Sequence, residues 1–303
     1  MFGLDDKQQG VVGCMESQVV IAGPGSGKTR VLTEKARQLF GEGKDILCIT
    51  FTRSAAGEMQ SRVPGLPACT IHSYCCGNVG WDEDWGYDGL LYRFTQMDHK
   101  KKFEWVLMDE AQDLNQMELD VVISLIGDKL FAVGDPYQSI YGFQGAMGSS
   151  VIKILNKMGC KISNLNNNYR SKPEIVSRLN KWFNRNLVSV GIKDTGLTAI
   201  LFRRNDDLFY VSGQLKAKGI PHKIRLSIDR ANGKDRENDV LGSSNLRLMT
   251  IHCSKGQEFD KVLLFSWYPD SYEEERRVYY VAMARASKSF VRVENVKELI
   301  RNL

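Results

Sequence analysis

The segment Ala22–Thr29 reads Ala-Gly-Pro-Gly-Ser-Gly-Lys-Thr, a glycine-rich run that ends in a lysine and a hydroxyl. Glycines let backbone N–H groups converge on phosphate oxygens, and a helix starting at such a loop favours an anion at its positive end. In a P-loop of this kind, Lys28 reaches the β- and γ-phosphates and the Thr29 hydroxyl ligates Mg²⁺. Ala22 stands where the general pattern has Gly, and the rest of the pattern is intact. The predicted ATP-binding residues here are Ala22, Gly23, Pro24, Gly25, Ser26, Gly27, Lys28 and Thr29.

Two adjacent carboxylates, Asp109 and Glu110, follow the apolar run Trp105–Met108. Such a pair can divide its work, because Asp109 can hold Mg²⁺ as a Walker B acid does while Glu110 polarises the attacking water as a general base. The alternative is a solvated acidic turn. The apolar run leading straight into the pair favours the catalytic interpretation.

Apolar runs rich in β-branched residues predict the strands that position these groups. They are Val19–Ala22, Ile46–Thr50, Trp105–Met108 and Lys129–Val133, and the first two are followed by helical patterns. Strands that alternate with helices predict a parallel sheet, which binds ligands at the carboxyl ends of its strands. The pattern restarts after residue 160, with strands predicted at Leu197–Phe202, Leu246–Thr250 and Lys261–Phe265.

The fold class is therefore α/β, with two domains in tandem and a boundary near residue 150, where Gly142, Gly145 and Gly148 crowd together. We expect one domain over residues 1–150 and a second over residues 151–303. Two segments read as loops or linkers: the acidic, aromatic Trp81–Asp88 and the polar Arg230–Asn245.

Charge is divided unevenly along the 303 residues. Residues 1–150 hold 13 Lys+Arg and 20 Asp+Glu, a net of −7, whereas residues 151–303 hold 28 and 16, a net of +12. The basic second half suits a polyanionic partner, and it equally suits a solvated basic surface.

The chain shows no apolar stretch typical of a secretion signal and no apolar run near the roughly 20 residues that span a bilayer. Its seven cysteines are odd in number and irregular in spacing, which indicates reduced thiols, and we expect a cytoplasmic protein without membrane partners. Cys69, His72, Cys75 and Cys76 make zinc conceivable, although adjacent cysteines suit a tetrahedral site poorly.

Further blocks join the P-loop and the acidic pair, and the set resembles the motifs of superfamily 1 helicases of the UvrD/Rep/PcrA type. The blocks are Leu4–Gln8 (Q motif), Thr50–Met59 (Ia), Thr70–Ser73 (Ib), Asp109–Asp113 (Walker B), Val133–Ala146 (III), Asn168–Ser171 (IV), Thr250–Phe259 (V) and Glu274–Ala286 (VI). The resemblance implies two tandem RecA-like P-loop NTPase domains with parallel sheets and an ATP site in the cleft between them. It also implies a minimal form of the family, because only short segments near 74–103 and 226–246 stand where larger members insert accessory domains.

The resemblance assigns further roles at the nucleotide. Gln8 would read the adenine edge, Tyr169 would stack on the adenine beside Arg30, and Glu258 would meet the ribose hydroxyl. The resemblance also assigns catalytic roles. Gln138 would be the γ-phosphate sensor, and Arg170 and Arg285 would be arginine fingers that neutralise transition-state charge.

For DNA, the resemblance implies π-faces that accept bases of any sequence, with polar residues around them. The assigned residues are Phe51, Thr52, Arg53, His72, Ser73, Tyr141, Phe143 and His252. The family usually carries Trp-Arg where this chain has Phe143-Gln144, which removes one cation, and Ala284 replaces a Thr in motif VI. His72 is better explained as a motif Ib residue than as a zinc ligand.

Three functions follow from the resemblance. The first is an ATP-dependent, Mg²⁺-requiring DNA helicase that moves 3′→5′ on single-stranded DNA and on 3′-tailed duplex. The second is a DNA-stimulated translocase that does not unwind alone and works with a partner protein. The third is an ATP-switched DNA-binding module. RNA stays open as a substrate, because stacking and phosphate contacts do not read the sugar.

Overall fold

The computed structural model describes residues 3–226 and 236–303. The chain divides into two compact units, Met1–Leu165 and Asn166–Leu303. Each unit is an α/β layer structure built on its own sheet. The mixed α/β class and the parallel-dominated sheets confirm the predicted fold class.

Unit 1 has a six-stranded parallel sheet in the order β3-β2-β4-β5-β1-β6. Its strands are β1 (Gln18–Ala22), β2 (Ile46–Thr50), β3 (Ala68–Thr70), β4 (Phe103–Met108), β5 (Ile126–Gly134) and β6 (Lys161–Leu165). Its helices are α1 (Asp6–Gly13), α2 (Lys28–Gly41), α3 (Arg53–Arg62), α4 (Ile71–Val79), α5 (Gly86–Thr95), α6 (Gln116–Leu125) and α7 (Ser149–Lys157).

Both faces of this sheet are buried. Val19 and Val106 pack into one apolar cluster with α4 to α7, and their chain neighbours Val20 and Trp105 pack into another with α1 to α3. A strand that buries both faces needs apolar residues at every position, which is why the central strands were legible in the sequence. The two edge strands, β3 and β6, are short or polar and were not predicted from the sequence.

Unit 1 runs past residue 150 because α7 leads into β6, which pairs with β1 from Gln18 opposite Lys161 to Ala22 opposite Leu165. The division after Leu165 therefore lies later than the boundary placed near residue 150 from the glycines.

Helix α4, which begins inside motif Ib, and helix α5 are both short and precede the Walker B strand. The predicted loop Trp81–Asp88 is wrong at its end, because Gly86–Asp88 form the first turn of α5. The leucines and the phenylalanine of that helix, Leu90, Leu91 and Phe94, are buried in the unit 1 core. The loop is therefore confined to the residues before Gly86.

Unit 2 has a six-stranded sheet in the order β11-β10-β12-β9-β13-β14 and a two-stranded sheet of β7 and β8. The strands are β7 (Asn167–Asn168), β8 (Val188–Ser189), β9 (Thr198–Phe202), β10 (His222–Leu226), β11 (Arg236–Val240), β12 (Leu246–Thr250), β13 (Phe259–Phe265) and β14 (Ala286–Val293). The helices are α8 (Pro173–Phe183), α9 (Asn205–Ala217), α10 (Glu273–Ala284) and α11 (Val296–Arg301).

Strand β11 pairs antiparallel with β10, and the other neighbours in the larger sheet are parallel. The interpretation of Arg230–Asn245 as a linker is therefore wrong over Arg236–Val240, whose polar sequence forms the edge of the sheet. The earlier part of that segment, 230–235, lies outside the described residues.

Candidate nucleotide and nucleic-acid sites

The carboxyl ends of the unit 1 strands lie along one edge, because adjacent parallel strands are in register there. Thr50 lies opposite Thr70, Ile49 opposite Met108, and Ile21 opposite Gly134. The motifs therefore follow one another along this edge in sheet order: motif Ib after β3, motif Ia after β2, Walker B after β4, motif III after β5 and the P-loop after β1.

The P-loop turns back on itself through two glycines in the left-handed region, Gly25 (φ 67°) and Gly27 (φ 81°). Gly27 is also the N-cap of α2, so backbone N–H groups face the loop at the positive end of that helix. The Ser26 hydroxyl donates to the Gly23 carbonyl at 2.6 Å, and the Lys28 ammonium donates to the Ala22 carbonyl at 3.3 Å. This geometry fits the predicted phosphate cradle.

Gln8 lies against the P-loop. Its side-chain carbonyl accepts from the Asp5 backbone N–H at 3.1 Å, and its amide Nε2 donates to the Ser26 carbonyl at 2.9 Å. A methyl group added at Gly27 would come within 2.9 Å of that same nitrogen, so glycine is required there for space as well as for backbone conformation. The predicted adenine reader thus belongs to the P-loop structure.

The predicted metal ligand and general base differ in exposure. Asp109 is buried, and its Oδ1 accepts from the Glu110 backbone N–H at 2.9 Å. Glu110 is partly exposed and adopts φ 49°, a conformation that non-glycine residues rarely take. Because Glu110 is not fully buried, a water molecule can reach this residue. The hydroxyl of Thr29 and the carboxylate of Asp109 are hard oxygen donors of the type that Mg²⁺ prefers.

Gln112 connects the Walker B acid to motif III, a role the sequence analysis did not assign. Its Nε2 donates to Glu110 Oε2 at 2.5 Å, and its Oε1 accepts from the Asp135 backbone N–H at 2.9 Å. Asp135 in turn accepts at 2.7 Å from Gln138, the predicted γ-phosphate sensor. A hydrogen-bonded chain therefore runs from the predicted base to the predicted sensor. The feature that reveals this role is the full burial of Gln112, and the sequence does not show which side chains are buried.

Three predicted DNA-binding aromatics form a row at the same edge. The rings of Phe51 and Tyr141 stack with centroids 5.2 Å apart and 27° between their planes. The Phe143 ring lies 6.1 Å from Tyr141 and is 68% exposed. The row offers π-faces to solvent, as the stacking prediction requires.

The other predicted DNA residues of unit 1 lie on the first turns of α3 and α4. Thr52 caps α3 and accepts from the Ala55 N–H at 3.1 Å, and Arg53 beside it is exposed. His72 lies 3.9 Å from Glu118, and its ring meets Tyr87 edge-on at 5.0 Å. Ser73 shares a hydrogen bond with Thr70 at 2.9 Å.

In unit 2, the predicted finger Arg170 is paired with the predicted ribose ligand Glu258. Arg170 donates to Glu258 Oε1 from Nε at 3.0 Å and from one terminal nitrogen at 2.5 Å, and its other terminal nitrogen donates to the Ala284 carbonyl at 2.8 Å. Lys193 forms an ion pair with the second oxygen of Glu258. Burial raises the pKa of Glu258, but Arg170 and Lys193 more than offset this effect, so its pKa lies below the ordinary value.

The remaining predicted residues of unit 2 are placed by motifs IV, V and VI. Arg285 is buried at the end of α10, where it donates to the Val281 and Gln257 carbonyls, each at 3.2 Å. His252 begins a short 3₁₀ turn after β12, and Tyr169 follows β7 directly. Their roles toward nucleotide and DNA stay predictions, as do those of the unit 1 residues.

The zinc alternative gains no support. Within residues 3–226 and 236–303, no group of three or more His, Cys, Asp or Glu side chains is arranged to hold a metal ion. Burial raises the pKa of Cys69 to about 11 and that of Cys75 to about 12, which favours neutral thiols over the thiolates that zinc binds. Over the same described ranges, no helix is long and apolar enough to cross a membrane.

Comparison with protein families gives two matches that follow the motif order. Residues 9–144 match an AAA domain, and residues 226–293 match the UvrD-like helicase C-terminal domain. Together the two matches cover about two thirds of the chain. The chain belongs to the UvrD-like superfamily 1 helicases. In this UvrD-like chain, the first match contains the P-loop, the acidic pair and motif III up to Gln144, and the second contains motifs V and VI.

Individual relatives agree with this assignment. A probable DNA helicase of Mycoplasma pneumoniae is 25% identical over 246 residues, which are 67% of this chain and 45% of that protein. DNA helicase II of Escherichia coli is 36% identical over 98 residues, which are 31% of this chain and 14% of that protein. The UvrD-like chain thus spans less than half the length of the curated relatives it matches.

Solved structures show the same fold at low identity. The Pif1 helicase of Candida albicans has a TM-score of 0.61 at 14% identity, covering 98% of this chain and 97% of that one. A Bacteroides Pif1 helicase, solved with ADP-AlF3 and single-stranded DNA, has a TM-score of 0.55 at 14% identity, covering 98% and 94%. These likenesses support tandem RecA-like domains in the UvrD-like chain.

Proposed function

We propose that the chain is an ATP-driven motor on single-stranded DNA and acts as a DNA helicase with 3′→5′ polarity. The observation that carries the proposal is the hydrogen-bonded chain from Glu110 through Gln112 to Asp135. Asp135 lies in motif III, the segment that also carries Tyr141 and Phe143 of the aromatic row. Chemistry at Glu110 and contact with bases are therefore linked through one short segment of unit 1.

The proposed hydrolysis uses this chain's residues as follows. The P-loop N–H groups and Lys28 bind the triphosphate, and Glu110 accepts a proton from the attacking water. Bound Mg²⁺, held through Thr29 and Asp109, supplies charge neutralisation at the phosphates. Gln138 contacts the γ-phosphate, and its hydrogen bond to Asp135 links that contact within motif III to Gln112 and Glu110.

Unit 2 contributes two arginines to the proposed hydrolysis. Arg170 and Arg285 would neutralise the charge that develops on the transferred phosphoryl group. Release of the phosphate would remove those contacts. The basic half of the chain and the exposed ring of Phe143 support a polyanion with unstacked bases as the partner.

ATPase and strand-displacement measurements test the proposal. We expect ATP hydrolysis that single-stranded DNA stimulates, and displacement of a 3′-tailed duplex in preference to a 5′-tailed one. Absence of any response of the ATPase to single-stranded DNA contradicts a motor. Equal displacement of both duplexes contradicts the polarity. Single-stranded RNA of the same sequence serves as the comparison, since base stacking alone does not separate the two sugars.

A second candidate is a translocase that needs a partner protein to unwind. The two short helices α4 and α5 that precede the Walker B strand favour it, because larger family members insert a domain between motif Ib and that strand. ATPase stimulation without strand displacement supports this candidate. Faster loss of streptavidin from a biotinylated DNA end, dependent on ATP, then demonstrates translocation directly.

The third candidate, an ATP-switched binding module, is less consistent with the site. A switch needs no network that holds a general base, whereas Glu110 is held by the buried Gln112. The seven free cysteines support a reducing, cytoplasmic location as part of the proposal.

A further inference from the structure

Lys35 is a fully buried lysine on α2, two turns beyond the P-loop lysine. Its ammonium donates to the Val12 carbonyl at 2.9 Å and to the Cys14 carbonyl at 2.7 Å, and it lies 3.5 Å from the Met15 sulfur. It also lies 4.7 Å from the centre of the Trp105 ring. Burial lowers the pKa of Lys35. Placing an ammonium here is costly, and the neutral carbonyls and the ring compensate part of that cost.

The carbonyls that Lys35 contacts belong to the C-terminal end of α1. A helix end leaves carbonyl groups without partners inside the helix and carries partial negative charge. Helix α1 has no basic residue in its own last turn. The ammonium of Lys35 therefore supplies to α1, from α2, both the donor and the positive charge that its C-terminus lacks.

The other end of α1 carries Gln8, whose Nε2 donates to the P-loop carbonyl of Ser26 at 2.9 Å. Helix α1 is thus bonded to the P-loop near its N-terminal end and to α2 at its C-terminal end. Val11, which lies between these two contacts, packs in one apolar cluster with Val31 and Leu32 of α2. Gln8 and Val12 are one helical turn apart, about 6 Å along the axis. Movement of the Lys35 end of so short a helix would displace Gln8.

The Gln8 amide keeps capacity for a base. A primary amide has two donor hydrogens and two acceptor lone pairs, and the bonds with Ser26 and Asp5 use one of each. The remaining pair complements adenine, which presents N7 as acceptor and the N6 amino group as donor, whereas guanine presents two acceptors. Discrimination then depends on where the amide lies, since a hydrogen bond weakens steeply once it is misaligned.

We propose that Lys35 is a positioning residue for base recognition, which fixes α1 on α2 so that Gln8 selects adenine over guanine nucleotides. This inference rests on the proposed function, in which the site holds ATP and Gln8 reads its base. Lys35, a buried charged residue outside the motifs, thereby contributes to the selection of the nucleotide substrate.

Equilibrium binding of fluorescent ATP and GTP analogues tests the inference without needing turnover or DNA. We expect K35M to lower the ATP-over-GTP affinity ratio about fivefold to tenfold, the scale of one aligned hydrogen bond. K35R keeps a cation that can reach the same carbonyls and should restore most of the ratio. Lys44→Met, at a partly exposed lysine paired with Glu104 at 2.7 Å, is the matched control and should leave the ratio unchanged.

A double-mutant cycle of K35M and Gln8→Ala, measured on the ATP-over-GTP affinity ratio, separates an effect through Gln8 from a general loss of stability. If Lys35 acts through Gln8, the double variant discriminates no worse than Gln8→Ala alone. Unchanged discrimination in folded K35M, or fully additive losses in the double variant, overturns the inference. Should K35M fail to fold, K35Q keeps a donor without the charge and serves in its place. A wild-type chain that binds neither analogue contradicts the proposed function instead, and equal binding of both contradicts base reading by Gln8 and so also the role of Lys35.

Discussion

The side-chain amide of Gln112 donates to the carboxylate of Glu110 at 2.5 Å while it accepts from the backbone of motif III. Gln112 is fully buried and Glu110 is partly exposed, so the buried amide of Gln112 orients the carboxylate of the predicted base. The same glutamine receives two further bonds on its backbone carbonyl, from the Ser139 hydroxyl at 3.2 Å and from the Gly148 N–H at 3.1 Å. Its position is therefore fixed by motif III and by the turn that precedes α7.

Replacing Gln112 by Ala should lower kcat for ATP hydrolysis by about 10-fold to 100-fold with a smaller change in KM. The reason is that Glu110 loses the donor that orients it, and small misplacements of a reacting group are costly. Steady-state ATPase kinetics measure both constants. Gln116→Ala is the control, because the Gln116 side chain donates to the exposed Asp120 of its own helix at 2.8 Å, away from Glu110 and motif III. Equal losses in both variants would remove the special role of Gln112.

Glu110→Gln should keep ATP binding and reduce turnover by about 100-fold to 10,000-fold, the usual contribution of a positioned base. The amide has nearly the same shape but cannot accept the proton of the attacking water. Nucleotide binding and single-turnover hydrolysis measured on the same preparation separate the two effects. Normal turnover in this variant would show that another group is the base.

The sequence revealed the central strands of the first sheet, the strands β9, β12 and β13 of the second, and the P-loop. Doubly buried strands are apolar throughout, and the residue pattern of the loop is nearly invariant. The sequence did not reveal the edge strands β3, β6, β11 and β14, since these strands are short or partly polar and each pairs with only one neighbour in its sheet. The part played by Gln112 was hidden for a related reason, because its partner Asp135 lies 23 residues away along the chain. The buried charge of Lys35 depends equally on a remote contact, with Val12. Pattern alone cannot place such partners.

Gly134→Ala should destabilise unit 1 by about 1–3 kcal/mol and also slow hydrolysis. A methyl group there would lie 2.6 Å from Gln112 Oε1, and that amide cannot move without breaking its bonds to Glu110 and Asp135. Thermal unfolding and ATPase rate measure the two effects. Gly57→Ala is the control: it meets nothing within 4 Å in α3 and should be neutral or stabilising, since Ala is the better helix former. Similar destabilisation of both variants would argue against a clash with Gln112.

Glu258 should make the stability of unit 2 depend on pH. Its folded-state pKa lies below the ordinary value of 4.5, so the folded state binds its proton less readily than the unfolded state does. The stabilisation is present above about pH 4.5 and is lost as the pH falls through the folded-state pKa. Glu258→Gln should therefore lose less stability than wild type between pH 5 and pH 3, as chemical denaturation at each pH would show. Glu294→Gln, at an exposed pair with Arg292 at 2.5 Å, should follow the wild-type curve.

Tyr141→Ala should weaken binding of single-stranded DNA by about 1–3 kcal/mol, the value of one stacked base. Tyr141 is the middle ring of the row, 5.2 Å from Phe51 and 6.1 Å from Phe143, so its removal interrupts the stack on both sides. Fluorescence anisotropy with a labelled oligonucleotide measures affinity, and ATPase without DNA should change little because Tyr141 lies outside the Glu110–Gln112 network. Phe209→Ala removes an aromatic ring of α9 that is 51% exposed, and it is the matched control for loss of apolar surface. DNA affinity unchanged in Tyr141→Ala, or lowered equally in both variants, would place the DNA away from the aromatic row.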